Sequence, residues 1–546
     1  MNHTVGRKVG AAWGACLDRY SGRHSAVPSR KCWHTNQVRR PFPAMSIVAG
    51  LLALTACSGG SSRAAATAVP TASSGPTASA TPSASATTEG PGRLSAWKGC
   101  GNDFQCATLT VALDAAKPAL GTVDLALTRH RATSGRRIGS LLVNPGGPGA
   151  SAVDFVKDSY SSFPAAVRQR FDLVAFDPRG VGHTEPVRCE TTAQLDTYFH
   201  LDPVPDTAAE RTALDDGNKM LAAGCQRRSA RILPYVSTAI VAQDMDRVRQ
   251  AIGDAKLTYL GYSYGTAIGA SYLDQFPTHV RAMVLDGALD PTLSWDQLLA
   301  GQSRGFDVAL NAFLADCQQT SCAFRKAASG NLTQAFDDLA RKVETQPLPG
   351  DATRTVGPDE FTLGVGAGLY SRQYGWPAIA NALAAAEQGE GNVLLALSDS
   401  YLERTANGYA NVTESNFAVN CIDRPWPRTD APYQALAKQV GQSYPRFGPA
   451  IALSGLGCAV WPVAPVGKPH PVHAPASPPV VIIGTTRDPA TPYTWAQALA
   501  KQLVHATLLT HNGDGHTVYR VGAPGCITGP VDTYLISLMV PATATC

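Results

Sequence analysis

The stretch LGYSYGT, residues 260–266, decides the fold of this chain of 546 residues. Gly261, Ser263 and Gly265 give it the spacing Gly-x-Ser-x-Gly, which is typical of a nucleophile elbow. An elbow holds one serine on a tight turn between a strand and a helix. The two glycines leave room where a side chain would clash with the neighbouring strand or helix. The spacing therefore predicts a nucleophilic serine at position 263.

The residues around the elbow fit this interpretation. Residues 257–260 form a short strand-like run, and residues 266–276 form a helix-like run of small and apolar residues. The Gly-x-Ser-x-Gly spacing alone is a weak signal in a chain with 50 glycines. The strand before it and the helix after it make the motif specific.

Further strand-like runs end in loops rich in Gly, Pro or Asp. They cover residues 138–143, 171–176, 281–285, 480–483 and 506–510, and helical patterns such as residues 238–252 lie between several of them. Alternating strands and helices predict a parallel sheet whose functional loops lie at the carboxyl ends of the strands. The arrangement resembles the α/β-hydrolase fold, an α/β class with a mostly parallel sheet flanked by helices.

The loop NPGGPG, residues 144–149, is the second strong motif. In this fold an oxyanion hole combines a backbone N–H from the loop after the third strand with that of the residue after the nucleophile. The second donor is then Tyr264. The first is Gly147, with Gly146 as the alternative, because glycines let the backbone approach the developing oxyanion closely.

Two aspartates are candidates for the acid of a catalytic triad. Asp286 follows the strand after the elbow, and Asp488 follows the strand-like run 480–483. Both keep the chain order Ser, Asp, His. We favour Asp488, because its loop is expected beside the loop of the final strand. We expect Asp286 to shape the entrance to an inserted domain or to contact substrate.

The candidate for the catalytic base is His516, in the loop GDGHTV that follows the last strand. Its small neighbours allow a loop that presents the imidazole ring. His511 competes for the role, but it lies within or at the end of the strand. Asp488 would orient the ring of His516 and stabilise the imidazolium that forms when Ser263 attacks.

The chain is longer than one minimal hydrolase core requires, so we expect an inserted domain. Long Ala- and Leu-rich stretches interrupt the alternation of strands and helices before the run at 480, and they indicate a helical cap. The expected parts are residues 96–291 for the first half of the α/β domain, 292–420 for the cap and 421–546 for the second half.

The N-terminus indicates export. Residues 39–57 contain two arginines, a short apolar segment and the ending Leu-Thr-Ala-Cys, which resembles a bacterial lipobox. We expect residues 1–57 to be a leader and signal peptide that ends at the lipidated Cys57. Residues 58–95 are rich in Ala, Ser, Thr and Pro, and their composition predicts a disordered linker.

Charge and cysteine content agree with an exported protein. Residues 1–56 hold eight of the 46 Lys and Arg and one of the 42 acids, so the rest of the chain carries 38 basic and 41 acidic residues, a net charge of −3. No basic run indicates nucleic-acid binding.

Of the 13 cysteines, ten remain once Cys16 and Cys32, in the expected leader, and Cys57, the expected lipidation site, are set aside. The even number indicates disulfides, and although sequence cannot fix their connectivity, proximity favours pairing 100 with 106, 189 with 225, 317 with 322, 421 with 458 and 526 with 546.

Seven motifs together resemble the secreted tripeptidyl-aminopeptidase family of actinobacterial α/β-hydrolases. They are NPGGPG (144–149), FDPRGVG (176–182), GYSYGT (261–266), VLDGALDP (284–291), NCID (420–423), TRDPATP (486–492) and GDGHTVY (513–519). The resemblance covers residues 97–546. It implies a serine exopeptidase that releases short peptides, with tripeptides expected, from free N-termini. It implies a helical cap and neither a metal nor an organic cofactor.

An aminopeptidase must bind a charged α-amine, so a carboxylate is expected on the acyl side of its cleft. Asp423 is our first candidate, because a disulfide at Cys421 would fix its loop. Asp286, Glu403 and Glu414 are the others. Each of these acids has the alternative of being a solvated surface residue.

Two other functions fit the same motifs. A carboxylesterase or lipase would use the same triad, and only the pocket distinguishes it from a peptidase. A non-catalytic peptide-binding surface lipoprotein would have lost at least one triad or oxyanion position. Every such position is present in the sequence.

Overall fold

The computed structural model describes residues 92–546. The expected leader 1–57, the lipidation site Cys57 and most of the linker 58–95 lie outside the described residues. Arg93–Leu94 already forms a strand that pairs with the main sheet. The folded part therefore begins before residue 96, where we had placed its start.

The strands belong to one large sheet and two small hairpins. They are β1 (Arg93–Leu94), β2 (Lys98–Gly99), β3 (Phe104–Ala112), β4 (Thr122–His130), β5 (Gly139–Asn144), β6 (Phe171–Phe176), β7 (Leu257–Tyr262), β8 (Val280–Asp286), β9 (Leu348–Pro349), β10 (Thr355–Val356), β11 (Arg404–Thr405), β12 (Gly408–Tyr409), β13 (Val480–Arg487), β14 (Ala506–Asp514) and β15 (Ala544–Thr545).

The large sheet has the strand order β1-β3-β4-β6-β5-β7-β8-β13-β14-β15, with β2 also paired to β3. In this sheet β5, β6, β7, β8, β13, β14 and β15 are parallel to one another, and β1 to β4 are antiparallel additions at one edge. The register places Asn144 beside Gly261, and Tyr262 beside Asp286. The loops after β5, β7, β8, β13 and β14 consequently meet at one edge of the sheet.

Helices flank this sheet and fill a long insertion between β8 and β13. They are α1 (Ala152–Asp158), α2 (Ala165–Arg170), α3 (Thr192–Tyr198), α4 (Ala208–Ser229), α5 (Thr238–Ala251), α6 (Gly265–Gln275), α7 (Trp295–Thr320), α8 (Ala323–Ala327), α9 (Leu332–Thr345), α10 (Pro358–Leu369), α11 (Gly375–Glu387), α12 (Asn392–Tyr401), α13 (Val412–Asp423), α14 (Ala431–Gly441), α15 (Gly448–Leu453), α16 (Leu456–Ala459), α17 (Tyr493–Gln502) and α18 (Gly525–Ser537).

The helical insertion, α7 to α16, is longer than the sequence predicted. We expected the second half of the α/β domain to resume at residue 421, but α14, α15 and α16 continue the insertion to Ala459. Helices α14 and α15 pack against α7, the first helix of the insertion. The boundary at residue 420 was therefore wrong, and the sheet resumes only with β13 at Val480.

Burial explains why these segments adopt their structures. Every residue of β6, FDLVAF, is buried, as expected for a parallel strand that is covered on both faces. On α9 the buried residues Leu332, Phe336, Leu339 and Val343 follow helical spacing and form one apolar face. One continuous core joins the sheet to the insertion, so the two parts share their apolar interior.

The ten cysteines among the described residues form five disulfides. The pairs are Cys100–Cys106, Cys189–Cys225, Cys317–Cys322, Cys421–Cys458 and Cys526–Cys546, which confirms the pairing favoured by proximity. Disulfides in this number persist in oxidising compartments, so the protein is extracytoplasmic. Between residues 92 and 546, no helix combines the length and apolar character needed to cross a membrane.

Candidate active site

The elbow forms as its sequence predicted. Ser263 has a φ of +54°, an unfavourable backbone conformation for a residue with a side chain. A Cβ at Gly261 would lie 2.5 Å from the carbonyl oxygen of Gly265. A Cβ at Gly265 would lie 2.7 Å from the carbonyl oxygen of Asn144, at the end of β5. Both glycines are therefore required for the close approach of β7, α6 and the neighbouring strand.

The NPGGPG loop lies directly against the elbow. A Cβ at Gly146 would lie 2.8 Å from the backbone nitrogen of Tyr264. The N–H of Gly146 donates to Asn144 Oδ1 at 2.9 Å and is thereby occupied. Gly147 and Tyr264 line the same cavity as Ser263. This geometry favours Gly147 over Gly146 as the first oxyanion donor.

His516 and Asp488 form a buried pair. The Nδ1 atom of His516 lies 2.8 Å from both carboxylate oxygens of Asp488, and both side chains are fully buried. The carboxylate of Asp488 also accepts the N–H groups of Ala490 and Thr491. These contacts assign the ring proton to Nδ1, which leaves a lone pair on Nε2. Nε2 has no hydrogen-bond partner in the described part of the chain, so it is available to a reacting group.

Thr491 supports this pair from one side. Its hydroxyl lies 3.1 Å from Asp488 Oδ2 and 3.2 Å from His516 Nδ1. Thr491 also lines the cavity that contains Ser263. The sequence analysis missed this residue, although its position three residues after Asp488 is a usual spacing for a hydroxyl that supports an aspartate turn.

Asp286 connects the elbow to the histidine loop. Its carbonyl oxygen accepts the N–H of Ser263 at 2.9 Å. Its Oδ2 atom accepts the N–H groups of Val518 and Tyr519 at 2.8 and 2.7 Å. Burial raises the pKa of the carboxyl to about 6, since these N–H groups offset only part of the lost hydration. Asp286 is fully buried and lies outside the cavity, so the expectation that it contacts substrate was wrong.

Asp423 and Ser263 line the same cavity, and this cavity has a volume of about 70 Å³. Its Oδ1 atom accepts the N–H of Thr238 at 2.9 Å, and its Oδ2 atom accepts the hydroxyl of the same residue. Thr238 Oγ1 is also 2.5 Å from the phenol oxygen of Tyr264. Burial raises the pKa of the Asp423 carboxyl to about 6.

Arg424 lines the same cavity and was not identified from the sequence. Its Nε and Nη1 atoms are buried, and neither has a hydrogen-bond partner among residues 92–546. Burial lowers the pKa of the guanidinium, and the charge of Asp423 offsets part of this effect. A buried guanidinium with unused donors is costly, so it is a candidate for binding an oxygen atom of a substrate.

The other two candidate acids lie away from this cavity. Glu414 is buried, and its Oε1 atom accepts the N–H groups of Cys189 and Glu190. Glu403 lies between α12 and β11, and it does not line the cavity of Ser263. The structure therefore corrects the expectation that either acid contacts substrate. Nowhere in the described ranges do three or more His, Cys, Asp or Glu side chains form a group that could hold a metal ion.

Comparisons with known proteins identify the family of this chain. The model of the alpha/beta hydrolase fold family matches residues 139–523. Serine protease Hip1 of Mycobacterium tuberculosis is 37% identical over 453 residues, which cover 80% of this chain and 86% of that protein. Carboxylesterase B of the same organism is 37% identical over 451 residues, with coverages of 81% and 85%. Tripeptidyl aminopeptidase of Streptomyces coelicolor is 33% identical over 456 residues, with coverages of 81% and 83%.

The nucleophile elbow, the buried histidine–aspartate pair and these similarities lead to one assignment. The chain belongs to the alpha/beta hydrolase fold family and is a serine hydrolase of the peptidase type.

Proposed function

We propose that Ser263, His516 and Asp488 form the catalytic triad. Ser263 attacks a carbonyl carbon while His516 Nε2 accepts its proton, and Asp488 stabilises the resulting imidazolium. His516 then returns the proton to the leaving group, and water hydrolyses the acyl-enzyme. The buried pairing of His516 Nδ1 with Asp488 supports these roles, because it directs the basic nitrogen away from the carboxylate.

The N–H groups of Gly147 and Tyr264 are proposed to hold the oxyanion. Both residues line the cavity with Ser263, and Tyr264 directly follows it, at the start of α6. A helix N-terminus adds partial positive charge where the oxyanion develops. Removing one such donor typically lowers turnover by roughly 10²–10³-fold.

The reaction proposed for this site is the release of short peptides from free N-termini. One observation carries this proposal: the carboxyl group of Asp423 lines the same cavity as Ser263. A substrate ammonium would add a second positive charge beside a buried carboxyl group that already has Arg424 as a neighbour. Arg424, beside it, would donate to a carbonyl oxygen of the same peptide.

Tripeptides are the proposed length of the released product. The aromatic ring of Tyr264 and the hydroxyl of Thr238 connect the oxyanion donor to Asp423. An extended peptide covers roughly 3.3–3.6 Å per residue. A few residues would therefore span the distance from the oxyanion donor to Asp423, which is the length of one aromatic ring and two hydrogen bonds. The similarity to a tripeptidyl aminopeptidase supports the same length.

Hydrolysis of matched chromogenic substrates tests this function. The substrates are a tripeptide anilide with a free amine, its N-acetylated form, a single-residue anilide and a short-chain ester, and Ser263→Ala is the inactive control. We expect cleavage of the free tripeptide and little cleavage of its acetylated form. Asp423→Asn should raise KM for the free tripeptide about tenfold or more, as expected for a lost charged hydrogen bond. Asp338→Asn, which changes an exposed acid on α9, should leave KM unchanged.

The same substrates distinguish the competing functions. Cleavage of the ester alone would assign the chain to the carboxylesterases, the alternative supported by the similarity to carboxylesterase B. If none of the substrates is hydrolysed and a fluorophosphonate does not label the protein, a non-catalytic binding lipoprotein is favoured.

Attachment to the membrane through a lipidated Cys57 is also proposed. The apolar segment before it, the ending Leu-Thr-Ala-Cys and the polar residues after it support this maturation. In cells of a bacterial host, Cys57→Ser should move the protein from the membrane fraction to the soluble fraction. A mature N-terminus at a residue other than Cys57, determined by mass spectrometry, would reject the proposal.

A further inference from the structure

A second cavity, of about 120 Å³, lies among α3, α4 and helices of the insertion. Its walls are mainly aromatic and aliphatic, and they include Tyr198, Phe199, Leu363, Leu402, Phe417 and Leu453. It shares no lining residue with the cavity that contains Ser263. The mechanism proposed above therefore makes no use of it.

Several polar side chains in the wall of this cavity already have partners. The hydroxyl of Tyr198 donates to Asn218 Oδ1, and the amide of Asn218 donates to the carbonyl oxygen of Leu214. The amide of Asn416 donates to the carbonyl oxygen of Pro148. These groups need no ligand.

Asp359 differs from them. It is the second residue of α10 and lines the cavity. No hydrogen bond or ion pair to its carboxylate is formed within the part of the chain that the structure describes. Its neighbour Glu360 is already engaged, by His200 and by the N–H of Gly357. Among the described residues, Asp359 is therefore the one acidic residue that lines the cavity, and its carboxyl group has no side-chain partner there.

The electrostatic surroundings favour a positively charged occupant. Burial, followed by the charges of Glu360 and Asp202, raises the pKa of the Asp359 carboxyl well above its ordinary value. A cation beside the carboxylate would reverse this effect, because it stabilises the ionised form. An anion would lie beside Asp359, with the charges of Glu360 and Asp202 close to that residue, and is disfavoured.

We propose that this cavity binds a small apolar primary ammonium ion, with Asp359 as its counter-ion. The volume sets the size of the ligand, because an engineered cavity of about 150 Å³ accommodates benzene. One aromatic ring or one branched aliphatic chain would contact the apolar walls, while the ammonium group donates to Asp359. Such an ammonium ion is present both in free amines and in apolar N-terminal residues of peptides.

Calorimetric titration of the disulfide-bonded full chain tests this proposal. The chain carries Ser263→Ala so that no ligand is hydrolysed. Benzylamine represents a free amine, leucinamide represents a peptide N-terminus, and benzyl alcohol is the uncharged control. We expect saturable binding of at least one amine and much weaker binding of the alcohol. The amine that binds identifies the source of the ligand.

Three variants locate the binding. Asp359→Asn should weaken amine binding about tenfold or more, as expected for a lost charged hydrogen bond. Asp423→Asn should have no effect on this binding, which separates the cavity from the catalytic one. Leu363→Trp fills the cavity and should abolish binding even if Asp359→Asn does not fold. Absence of saturable amine binding, or unchanged affinity in both cavity variants, would overturn the proposal.

Discussion

The backbone N–H of His516 donates to the carbonyl oxygen of Tyr370 at 2.9 Å. The ring of Tyr370 also meets the imidazole of His516 edge to face, with centroids 5.3 Å apart. Tyr370 directly follows α10, so the helical insertion contacts both the backbone and the ring of the proposed catalytic histidine. The position of the proposed base therefore depends on the insertion as well as on the sheet.

Gly515→Ala should show this dependence in turnover. A Cβ at Gly515 would lie 2.8 Å from the carbonyl oxygen of Tyr370 and would force the histidine loop away from it. A misplacement of about 1 Å can cost about 10²-fold in rate, so we expect kcat to fall by about that factor. Gly522→Ala is the matched control, because Gly522 also has a positive φ but has open space around it. Equal losses of kcat in the two variants would show that backbone strain alone is responsible.

Thr491 should act as a positioning residue for the Asp488–His516 pair. Thr491→Val keeps the shape of the side chain but removes the hydroxyl that contacts both groups. A hydrogen bond to a charged group is worth about 1.5–3 kcal/mol, so we expect kcat to fall about 10–100-fold, with a smaller change in KM. Thr491→Ser should restore most of the activity. If the Ser and Val variants are equally impaired, the hydroxyl has no such role.

Asp286 should make stability depend on pH. Its pKa is about 6 in the folded protein, above the ordinary value of 3.8, so between these values the native state binds more protons than the unfolded chain. Its contribution to the free energy of unfolding is therefore largest at low pH and is lost as pH rises through about 6. The difference in unfolding free energy between the wild type and Asp286→Asn, from urea titrations at pH 4 to 7, should fall with pH. A difference that stays constant would contradict the raised pKa.

Arg424 should determine affinity for peptides. Arg424→Gln removes the guanidinium, and we expect KM for the free tripeptide anilide to rise about tenfold or more. The rate with a short-chain ester should change little, because that substrate does not extend along the cavity. Arg341→Gln, on the exposed face of α9, controls for loss of one positive charge. An equal effect on ester and peptide would indicate damage to the elbow instead.

The main residues of the candidate site could be proposed from the sequence because local turn chemistry identifies them. Gly261 and Gly265 avoid clashes specific to an elbow, and the order of the strands brings Asp488 and His516 to the same edge. Asp286 could not be assigned in this way. It also follows a strand and precedes a glycine, as a turn residue would. Its partners, Val518 and Tyr519, are more than 230 residues away along the chain.

The extent of the helical insertion shows a second limit of prediction from the sequence. The sequence analysis did not identify α14 and α15, and helical periodicity would not specify which surface they cover. Their packing against α7 is a long-range property of the fold.

The antiparallel strands β3 and β4 were missed for a different reason. Runs such as VDLALT in β4 alternate in burial, as expected for strands. Both strands, however, come before residue 138, where the series of strands that we recognised begins.

The five disulfides each join two cysteines that are consecutive among the described cysteines of the chain. A polypeptide that crosses a membrane from its N-terminus presents its thiols to the oxidant in this same order. Each cysteine therefore meets its native partner before any other new thiol arrives, and no wrongly paired bridge has to be exchanged afterwards. The connectivity makes oxidation during export possible bridge by bridge, without waiting for the last strands of the sheet.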